Sequence, residues 1–426
     1  MGGRKMDFVL GINYWPRRKA MYWWKAFDAN EVMEEFSLIK ELNLDVVRVF
    51  LLWEDFQPKP DVINGSSLRH LETVLDIAGE LGLGIMPTFF IGHMSGINWL
   101  PEWALSDEPH ERFLTYSNGR LTDRGPKNIY EEPELLEAEK LLLEAVSSEF
   151  DDHPAIYAWD ISNEIDNVRI PRTPEVGRNW LRFVYTTLKE NSSKPITFGI
   201  HQEDIHEDKN FHVQDVAAFN DFLCMHAYSV YTDFTDPLDP YFVPFACALT
   251  KALGGKDVLL EEFGLPTTPG RTKRITSATG KHMTEHYLIN ERTAAEWLEQ
   301  TLACLYEVGA LGAFYWNFSD YDESLWNKPP FDRAVHERYF GLVRSDGSLK
   351  PTAFVIKNFK DIYPKLRRRN VELRVPPDYY DNPRENLISL YFDFKKECEP
   401  HDNLPWRSPH RLHSPPGGKA EGREEL

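Results

Sequence analysis

Short, continuously apolar segments alternate with longer amphipathic segments along this chain, and this alternation limits the fold more than any other feature. The apolar segments carry hydrophobic residues at successive positions, which is typical of parallel strands buried on both faces. The segments between them repeat at the helical period. Strands are predicted at residues 8–13, 45–51, 84–90, 155–161, 195–200, 222–227, 258–261 and 310–315. Helices are predicted at residues 29–42, 67–81, 133–150, 174–191, 240–253, 291–308 and 351–362.

Eight successive βα units predict either a closed barrel or an open, doubly wound sheet. The dinucleotide-binding form of the open sheet needs a glycine-rich turn after its first strand, but Asn13-Tyr14-Trp15-Pro16 stands there. We therefore predict an α/β fold, a (β/α)8 TIM barrel over residues 6–365. Its long βα loops, at 91–132 and 264–290, would surround a cleft at the C-terminal face.

The segments after the predicted barrel have a weaker pattern. Residues 366–399 are interpreted as a C-terminal extension of the catalytic domain. Residues 400–426 are rich in proline, glycine and charge, so we predict a disordered tail there. Residues 339–347 read as a small hairpin that ends in a turn.

Charge and composition exclude several partners. The formal net charge of −19 disfavours phosphate backbones and anionic lipid, so neither nucleic acid nor membrane is expected as a partner. No apolar run reaches the roughly 18–20 residues of a membrane span. Four cysteines and the absence of a visible secretion signal favour a cytoplasmic protein, with secretion as the alternative if a leader was removed. The sequence does not predict an oligomeric state.

Two glutamates follow apolar strands on opposite sides of the predicted barrel. Glu164 follows the fourth strand and Glu262 lies at the end of the seventh. A carboxylate at a strand end is often only a helix cap or an ion-pair partner, so neither motif carries much weight alone. Two carboxyl groups about 5–5.5 Å apart, however, are the arrangement of a retaining glycosidase. Because successive strand residues point opposite ways, only one of Glu261 and Glu262 is expected to face the barrel axis.

Other polar and aromatic residues fall at the same face. Arg48 lies inside an apolar strand and needs a carboxylate partner, for which Glu262 is the candidate. His226 and Tyr228 are two residues apart on the sixth strand and share a face. Trp316 ends the eighth strand and could stack against a sugar ring, unless it is a core aromatic at the barrel rim. Further candidate contacts with a ligand are Trp53, His93, Trp99 and His201.

Taken together, these motifs resemble a known group of enzymes. The pieces that match are Arg48-x-x-x-x-Trp53, Asn163-Glu164, His226-x-Tyr228, Glu262-Phe263-Gly264 and Trp316. They are similar to glycoside hydrolase clan A, the retaining (β/α)8 glycosidases with the acid/base on strand four and the nucleophile on strand seven. Within the clan, the chain is most similar to family 5 and related endo-1,4-β-mannosidase-type proteins, over residues 6–362.

The resemblance implies a role for each residue. Glu262 would be the nucleophile, kept ionised by Arg48 and by hydrogen bonds from Tyr228 or His226. Glu164 would be the acid/base, its pKa raised by burial and by the neighbouring negative charge. Asn163 would bind the sugar 2-hydroxyl. The first strand offers no His-x-His metal motif, and we predict neither a metal nor a cofactor.

The function implied is retaining hydrolysis of β-linked neutral sugars. The resemblance favours β-mannan, manno-oligosaccharides or β-mannosides as substrates, so that an oligo- or polysaccharide is the expected partner. A β-glucan or β-glucoside hydrolase with the same machinery is the alternative. A carbohydrate-binding barrel without activity is the alternative from a different class.

Overall fold

The computed structural model describes residues 8–369 and 371–398. The predicted tail at 400–426 and the predicted domain start at residue 6 lie outside the described residues.

Eight parallel strands form the barrel, as predicted. The strands are β1 Val9–Tyr14, β2 Val46–Leu52, β3 Gly84–Ile91, β4 Trp159–Asn163, β5 Ile196–Gly199, β6 Leu223–His226, β7 Val258–Phe263 and β8 Gly312–Tyr315. In the hydrogen-bonded sheet their order is β5-β4-β3-β2-β1-β8-β7-β6. The sheet closes between β5 and β6, where the amide of His226 donates to the carbonyl of Ile200 at 2.9 Å.

Helices surround the barrel, and several begin and end where their sequences require. The side chain of Thr173 accepts from the amide of Val176, and Pro174 follows as the first helical residue. Gly82 takes the left-handed conformation that ends the helix before β3. The helices are α1 Ala29–Glu41, α2 Trp53–Phe56, α3 Gly65–Leu81, α4 Pro133–Phe150, α5 Pro174–Asn191, α6 Gln202–His206, α7 Val213–Ala218, α8 Phe242–Gly254, α9 Glu291–Glu307, α10 Pro351–Ile362 and α11 Pro383–Cys398.

Side chains fill the interior of the barrel and separate its two ends. A distinct apolar cluster inside the barrel is formed by Val46, Met86, Ala158, Cys224, Leu259 and Phe314. Gly11 makes room for it, since a Cβ at that position would lie 2.2 Å from the ring of Phe314. The larger cluster packs between the strands and the helices. Polar groups of the barrel therefore collect at the C-terminal ends of the strands.

The two long loops contain regular structure and touch each other. The loop after β3 holds two small sheets, and the loop after β7 holds an antiparallel hairpin of strands Lys273–Thr279 and His282–Asn290. The amide of Lys281 donates to the carbonyl of Arg112 at 2.9 Å, which joins the hairpin to the β3 loop. This contact walls one side of the barrel mouth.

The C-terminal segments differ from the sequence prediction. The predicted hairpin at 339–347 is reduced to a 3₁₀ helix at Val335–Tyr339 and single bridges at Val343. The predicted extension contains helix α11, whose residues Leu387, Tyr391 and Phe394 are buried. Tyr391 and Phe394 pack against Phe245 of α8, so the extension is part of the barrel's outer layer.

Candidate active site

The two glutamates meet at the mouth of the barrel. Glu164 follows β4 and Glu262 lies on β7, and a carboxylate oxygen of each lies within 4.8 Å of the other and of a nitrogen of His226. This separation agrees with the distance between the two carboxyl groups of a retaining glycosidase, which is about 5–5.5 Å. The backbone of Glu164 lies in the left-handed region, with φ 48° and ψ 50°. Such a conformation costs a non-glycine residue on the order of 1–3 kcal/mol and is concentrated at functional sites.

Arg48 lies beneath the glutamates, fully buried, and its contact with Glu262 is confirmed. Its Nη1 donates to Oε1 of Glu262 at 2.5 Å, and its Nη2 donates to Oδ2 of Asp160 at 2.7 Å. Its Nε lies 3.3 Å from Glu261. Burial lowers the pKa of the guanidinium, but the three carboxylates outweigh burial and raise the pKa above its ordinary value.

The expectation that only one of Glu261 and Glu262 faces the axis is wrong. In the pairing of β6 with β7, Met225 is opposite Leu260 but His226 is opposite Glu262, so Glu261 is an extra residue in a β-bulge. The bulge breaks the alternation of side chains and turns both carboxylates inward. Glu261 contacts Arg48 and also lies 2.9 Å from Nε2 of His226.

His226 and Tyr228 connect the two glutamates. Nδ1 of His226 lies 2.9 Å from Glu164 and its Nε2 lies 2.9 Å from Glu261. The hydroxyl of Tyr228 donates to Oε2 of Glu262 at 2.9 Å. Burial lowers the pKa of His226, but the charge of Glu262 and the bonds to Glu164 and Glu261 raise it to about 10. His226 is therefore an imidazolium that donates to two carboxylates at neutral pH.

The protonation order differs from the expectation. Burial raises the pKa of Glu164, but His201 and His226 outweigh burial and hold it below its ordinary value. Burial and the charge of Glu164 raise the pKa of Glu262, against the opposing effects of His226 and Arg48. The expectation of a raised pKa at Glu164 is wrong for the free site, because two imidazole groups face this carboxylate.

The other predicted residues divide into two groups. A cavity of about 560 Å³ at the barrel mouth is lined by both glutamates and by His93, Asn163, His201, His226, Tyr228 and Trp316. Asn163 is fixed there, since its Nδ2 donates to the carbonyl of His93 at 2.9 Å and its Oδ1 accepts from Arg48 at 3.0 Å.

Trp53 and Trp99, by contrast, do not line this cavity. The indole of Trp53 donates to Gln57 and packs against Trp103, because the short helix α2 begins at Trp53 itself. Trp99 is 5% exposed and donates to the carbonyl of Met94. Their contact with a ligand is not supported by this placement.

Several polar residues of the site were not singled out from the sequence. Asp160 could be recognised from the sequence as a candidate site residue, since it interrupts an apolar strand as Arg48 does. Asp166 lies 2.9 Å from Nε2 of His201, and Asp204 accepts from the amide of His201 at 2.9 Å. Nothing in the sequence marks Asp166 or Asp204, because each lies on a short helix that follows a strand.

Two groups of side chains have metal-ligand geometry among the described residues, Glu164–His226–Glu262 and Asp166–His201–Asp204. Burial lowers the pKa of His201, but Asp166 and Glu164 raise it well above its ordinary value. The absence of a metal stays a prediction.

Replacing His201 with glutamine is expected to move the alkaline limb of the pH profile of kcat/KM to higher pH. His201 lies 3.9 Å from Glu164 and lowers its pKa. Without this positive charge, Glu164 stays protonated to higher pH, so the acid form needed for leaving-group protonation persists. The measurement is kcat/KM for a nitrophenyl glycoside between about pH 4 and pH 10.

The matched control for this variant is His212→Gln. His212 forms a similar pair with Asp208 at 3.0 Å but does not line the cavity. The control should leave both limbs in place. A limb that moves to lower pH in His201→Gln, or moves equally in both variants, contradicts the assignment of His201 to Glu164.

No helix among the described residues is both long enough and apolar enough to cross a membrane.

The fold and the opposed carboxylates define a class of protein, the (β/α)8 barrels with a two-carboxylate site on strands four and seven. The glycosyl hydrolase 42 family model, described as β-galactosidase, matches residues 21–194, which is less than half of the chain. This match, together with the similar proteins described next, confirms the predicted resemblance to clan A glycoside hydrolases.

The individual proteins that this chain is similar to share only 19–26% sequence identity with it. β-Galactosidase BgaA of Clostridium cellulovorans is 26% identical over 199 residues, 43% of this chain and 26% of its own. The chain thus spans about a quarter of the length of this curated relative. GH5_18 from Streptomyces cattleya, in complex with GlcNAc, superposes with a TM-score of 0.73 at 19% identity, over 92% of this chain and 91% of that chain. Exo-β-1,4-mannosidase Op5Man5 from Opitutaceae bacterium strain TAV5 gives 0.67 at 24% identity, over 89% of this chain and 65% of that chain. At these identities the structural likeness establishes the fold.

Proposed function

We propose that the protein is a retaining β-glycoside hydrolase that acts on neutral β-linked sugars, with β-mannosides and manno-oligosaccharides as its first substrates. The observation that carries this proposal is the approach of the Glu164 and Glu262 carboxylates to within 4.8 Å over Arg48. Arg48 orients Glu262 and Tyr228 donates to it, so Glu262 has the position of a nucleophile.

The reaction proposed is a double displacement. An oxygen of Glu262 attacks the anomeric carbon, the bond from this carbon to the leaving oxygen breaks, and the leaving oxygen takes a proton from Glu164. Water then attacks the same carbon and gives a proton to Glu164, and the glycosyl ester releases Glu262. Glu164 takes this proton from His226, whose Nδ1 lies 2.9 Å from Oε1 of Glu164, and the proton gained from water in the second step returns to His226. Asn163 has one amide hydrogen left for the sugar 2-hydroxyl.

The preference for mannose derives from the similar proteins and from no single residue of the cavity. Op5Man5 is described as an exo-β-1,4-mannosidase, and a GH5_18 variant was solved with Manβ1-4GlcNAc. The family model and the curated relative are β-galactosidases, which makes β-galactosides the second candidate. β-Glucosides, the alternative from the sequence, complete the set that an experiment must separate.

We further propose that the enzyme removes sugars from chain ends. The β3 loop and the hairpin after β7 meet through Lys281 and Arg112 and close one side of the barrel mouth. A long polysaccharide chain therefore cannot extend past this side. Short oligosaccharides therefore fit the cavity better than a polymer.

A panel of nitrophenyl β-mannoside, β-galactoside and β-glucoside tests the proposal, with proton NMR of the released sugar. We expect turnover to be highest on the mannoside, with a β-configured first product. On mannohexaose, single sugars should appear first, and early fragments of intermediate length would contradict end-wise action. A carbohydrate-binding barrel without activity would instead bind these sugars and release no product from any of them.

A further inference from the structure

A third carboxylate lines the same cavity and takes no part in the proposed chemistry. Glu337 follows β8, within the 3₁₀ helix Val335–Tyr339, and lines the cavity together with Glu164 and Glu262. Its side chain is 10% exposed. Taking a carboxylate out of water costs free energy, so a residue that only links loops would be better served by a neutral side chain.

Donors from separate parts of the chain hold Glu337. Ser95 of the β3 loop donates to Oε2 at 3.0 Å, and the hydroxyl of Tyr231, after β6, lies 3.3 Å from Oε1. Nε2 of His336 also lies 3.3 Å from Oε1. Burial raises the pKa of Glu337, but His336 and Ser95 outweigh burial and lower it below its ordinary value. The group is thus an ionised acceptor in a fixed position.

The surroundings of His336 keep this acceptor rigid. Nδ1 of His336 lies 2.7 Å from the hydroxyl of Ser277, and its ring stacks on His286 of the hairpin, with ring centres 3.7 Å apart. Burial and His336 lower the pKa of His286 to about 4, so the stacked partner is neutral. The β3 loop, the hairpin after β7 and the segment after β8 therefore converge on Glu337.

Tyr231 adds an apolar surface next to the carboxylate. Its hydroxyl is bound by Glu337 and lies 3.1 Å from Nε2 of His336, while the residue as a whole is 40% exposed. Its ring lies 5.4 Å from that of Tyr228, which contacts Glu262. An exposed ring with a fixed hydroxyl beside an acceptor suits a sugar, which has apolar faces and a rim of hydroxyl groups.

We propose that Glu337, with Tyr231 and His336, binds hydroxyl groups of the terminal sugar at the walled side of the cavity. The inference rests on the proposed function and extends it, since it assigns the recognition of the chain end to one carboxylate. A carboxylate has about four acceptor positions, and the hydrogen bonds from Ser95 and Tyr231, with His336 close by, leave room for a sugar hydroxyl. A chain that continued past this point would replace that hydroxyl with a linkage and leave Glu337 without its bond.

The test combines Glu337→Gln with removal of single hydroxyls from the substrate. The parent is the nitrophenyl β-glycoside that the wild type hydrolyses best, compared with its 3-, 4- and 6-deoxy forms. We expect Glu337→Gln to lower kcat/KM about 10- to 100-fold on the parent, because a hydrogen bond to a charged group is lost. On the deoxy substrate that lacks the bound hydroxyl, Glu337→Gln should lower kcat/KM by less than about threefold relative to the wild type.

The control Glu285→Gln removes the same charge from the rim of the cavity, where Glu285 pairs with Arg274. It should leave the ratio between parent and deoxy substrates unchanged. An equal loss on every substrate, with unchanged thermal unfolding, would overturn the subsite. If the wild type shows no turnover, the proposed function fails, and calorimetric titration with the nitrophenyl β-mannoside as the parent, and with its deoxy forms, still tests Glu337. Equal binding of the parent by wild type and Glu337→Gln, or no binding by either, then overturns the subsite.

Discussion

Replacing Glu262 with alanine is expected to lower kcat on nitrophenyl glycosides by about four orders of magnitude or more. The variant has no group to form the glycosyl ester, and water cannot be activated from the same side. Arg48 and Tyr228 then lose their shared partner at 2.5 and 2.9 Å, so the preorganised charge is lost as well. The measurement is steady-state turnover at saturating substrate, with added sodium azide in a second series.

Azide separates a nucleophile from an acid. In Glu262→Ala the anion fits the space of the missing carboxylate and should give an α-configured glycosyl azide. The comparison variant is Glu164→Ala, which should still form the glycosyl ester from a 2,4-dinitrophenyl glycoside, whose leaving group needs no proton. Azide should then give a β-configured product. A β-azide from Glu262→Ala, or turnover above about 1% of the wild type, would exclude Glu262 as the nucleophile.

Residue pattern alone predicts the barrel and its pair of glutamates because both depend on local rules. A strand buried on both faces must be continuously apolar, so a polar residue at its end, such as Glu164 or Glu262, stands out at once. Parallel strands of a barrel end at one face, which places such residues together without knowledge of the packing. For the same reason Arg48, inside an apolar strand, could be paired with a carboxylate in advance.

What the sequence does not predict depends on contacts between distant segments. The bulge at Glu261 is a change of register between β6 and β7, and strict alternation offers no sign of it. Trp53 follows a strand as Trp316 does, yet α2 turns its indole into the core. Glu337 carries no local signal, since its donors Ser95 and Tyr231 are far away along the chain.

The protonation states of the two glutamates also depend on contacts between distant segments. A buried glutamate beside another negative charge is expected to have a raised pKa, and the sequence predicts this for Glu164. The structure adds His201 and His226 on the side of Glu164, and both act on this carboxylate. The order of the two pKa values therefore depends on β5 and β6, which the sequence could not place relative to Glu164.

Arg48→Ala is expected to lower both stability and turnover. Asp160, Glu261 and Glu262 would share a buried region without their cation, and loss of one partner of a buried ion pair costs about 3–5 kcal/mol in the free energy of unfolding.

Arg48 also lowers the pKa of Glu262, so its removal raises that pKa further. Glu262 must be ionised to attack, and the acid limb of kcat/KM therefore moves to higher pH. Denaturant unfolding and the pH profile measure the two effects.

Arg48→Lys keeps the charge but cannot reproduce the forked contacts, so it should recover more of the stability than of kcat. This variant keeps the prediction testable if Arg48→Ala does not fold. Arg344→Ala is the matched control, because Arg344 forms a paired contact with Glu291 away from the cavity. It should leave the pH profile unchanged. If Arg48→Lys has the wild-type turnover and acid limb, Arg48 has no part in orienting Glu262, and the cluster of carboxylates beneath the site serves the fold alone.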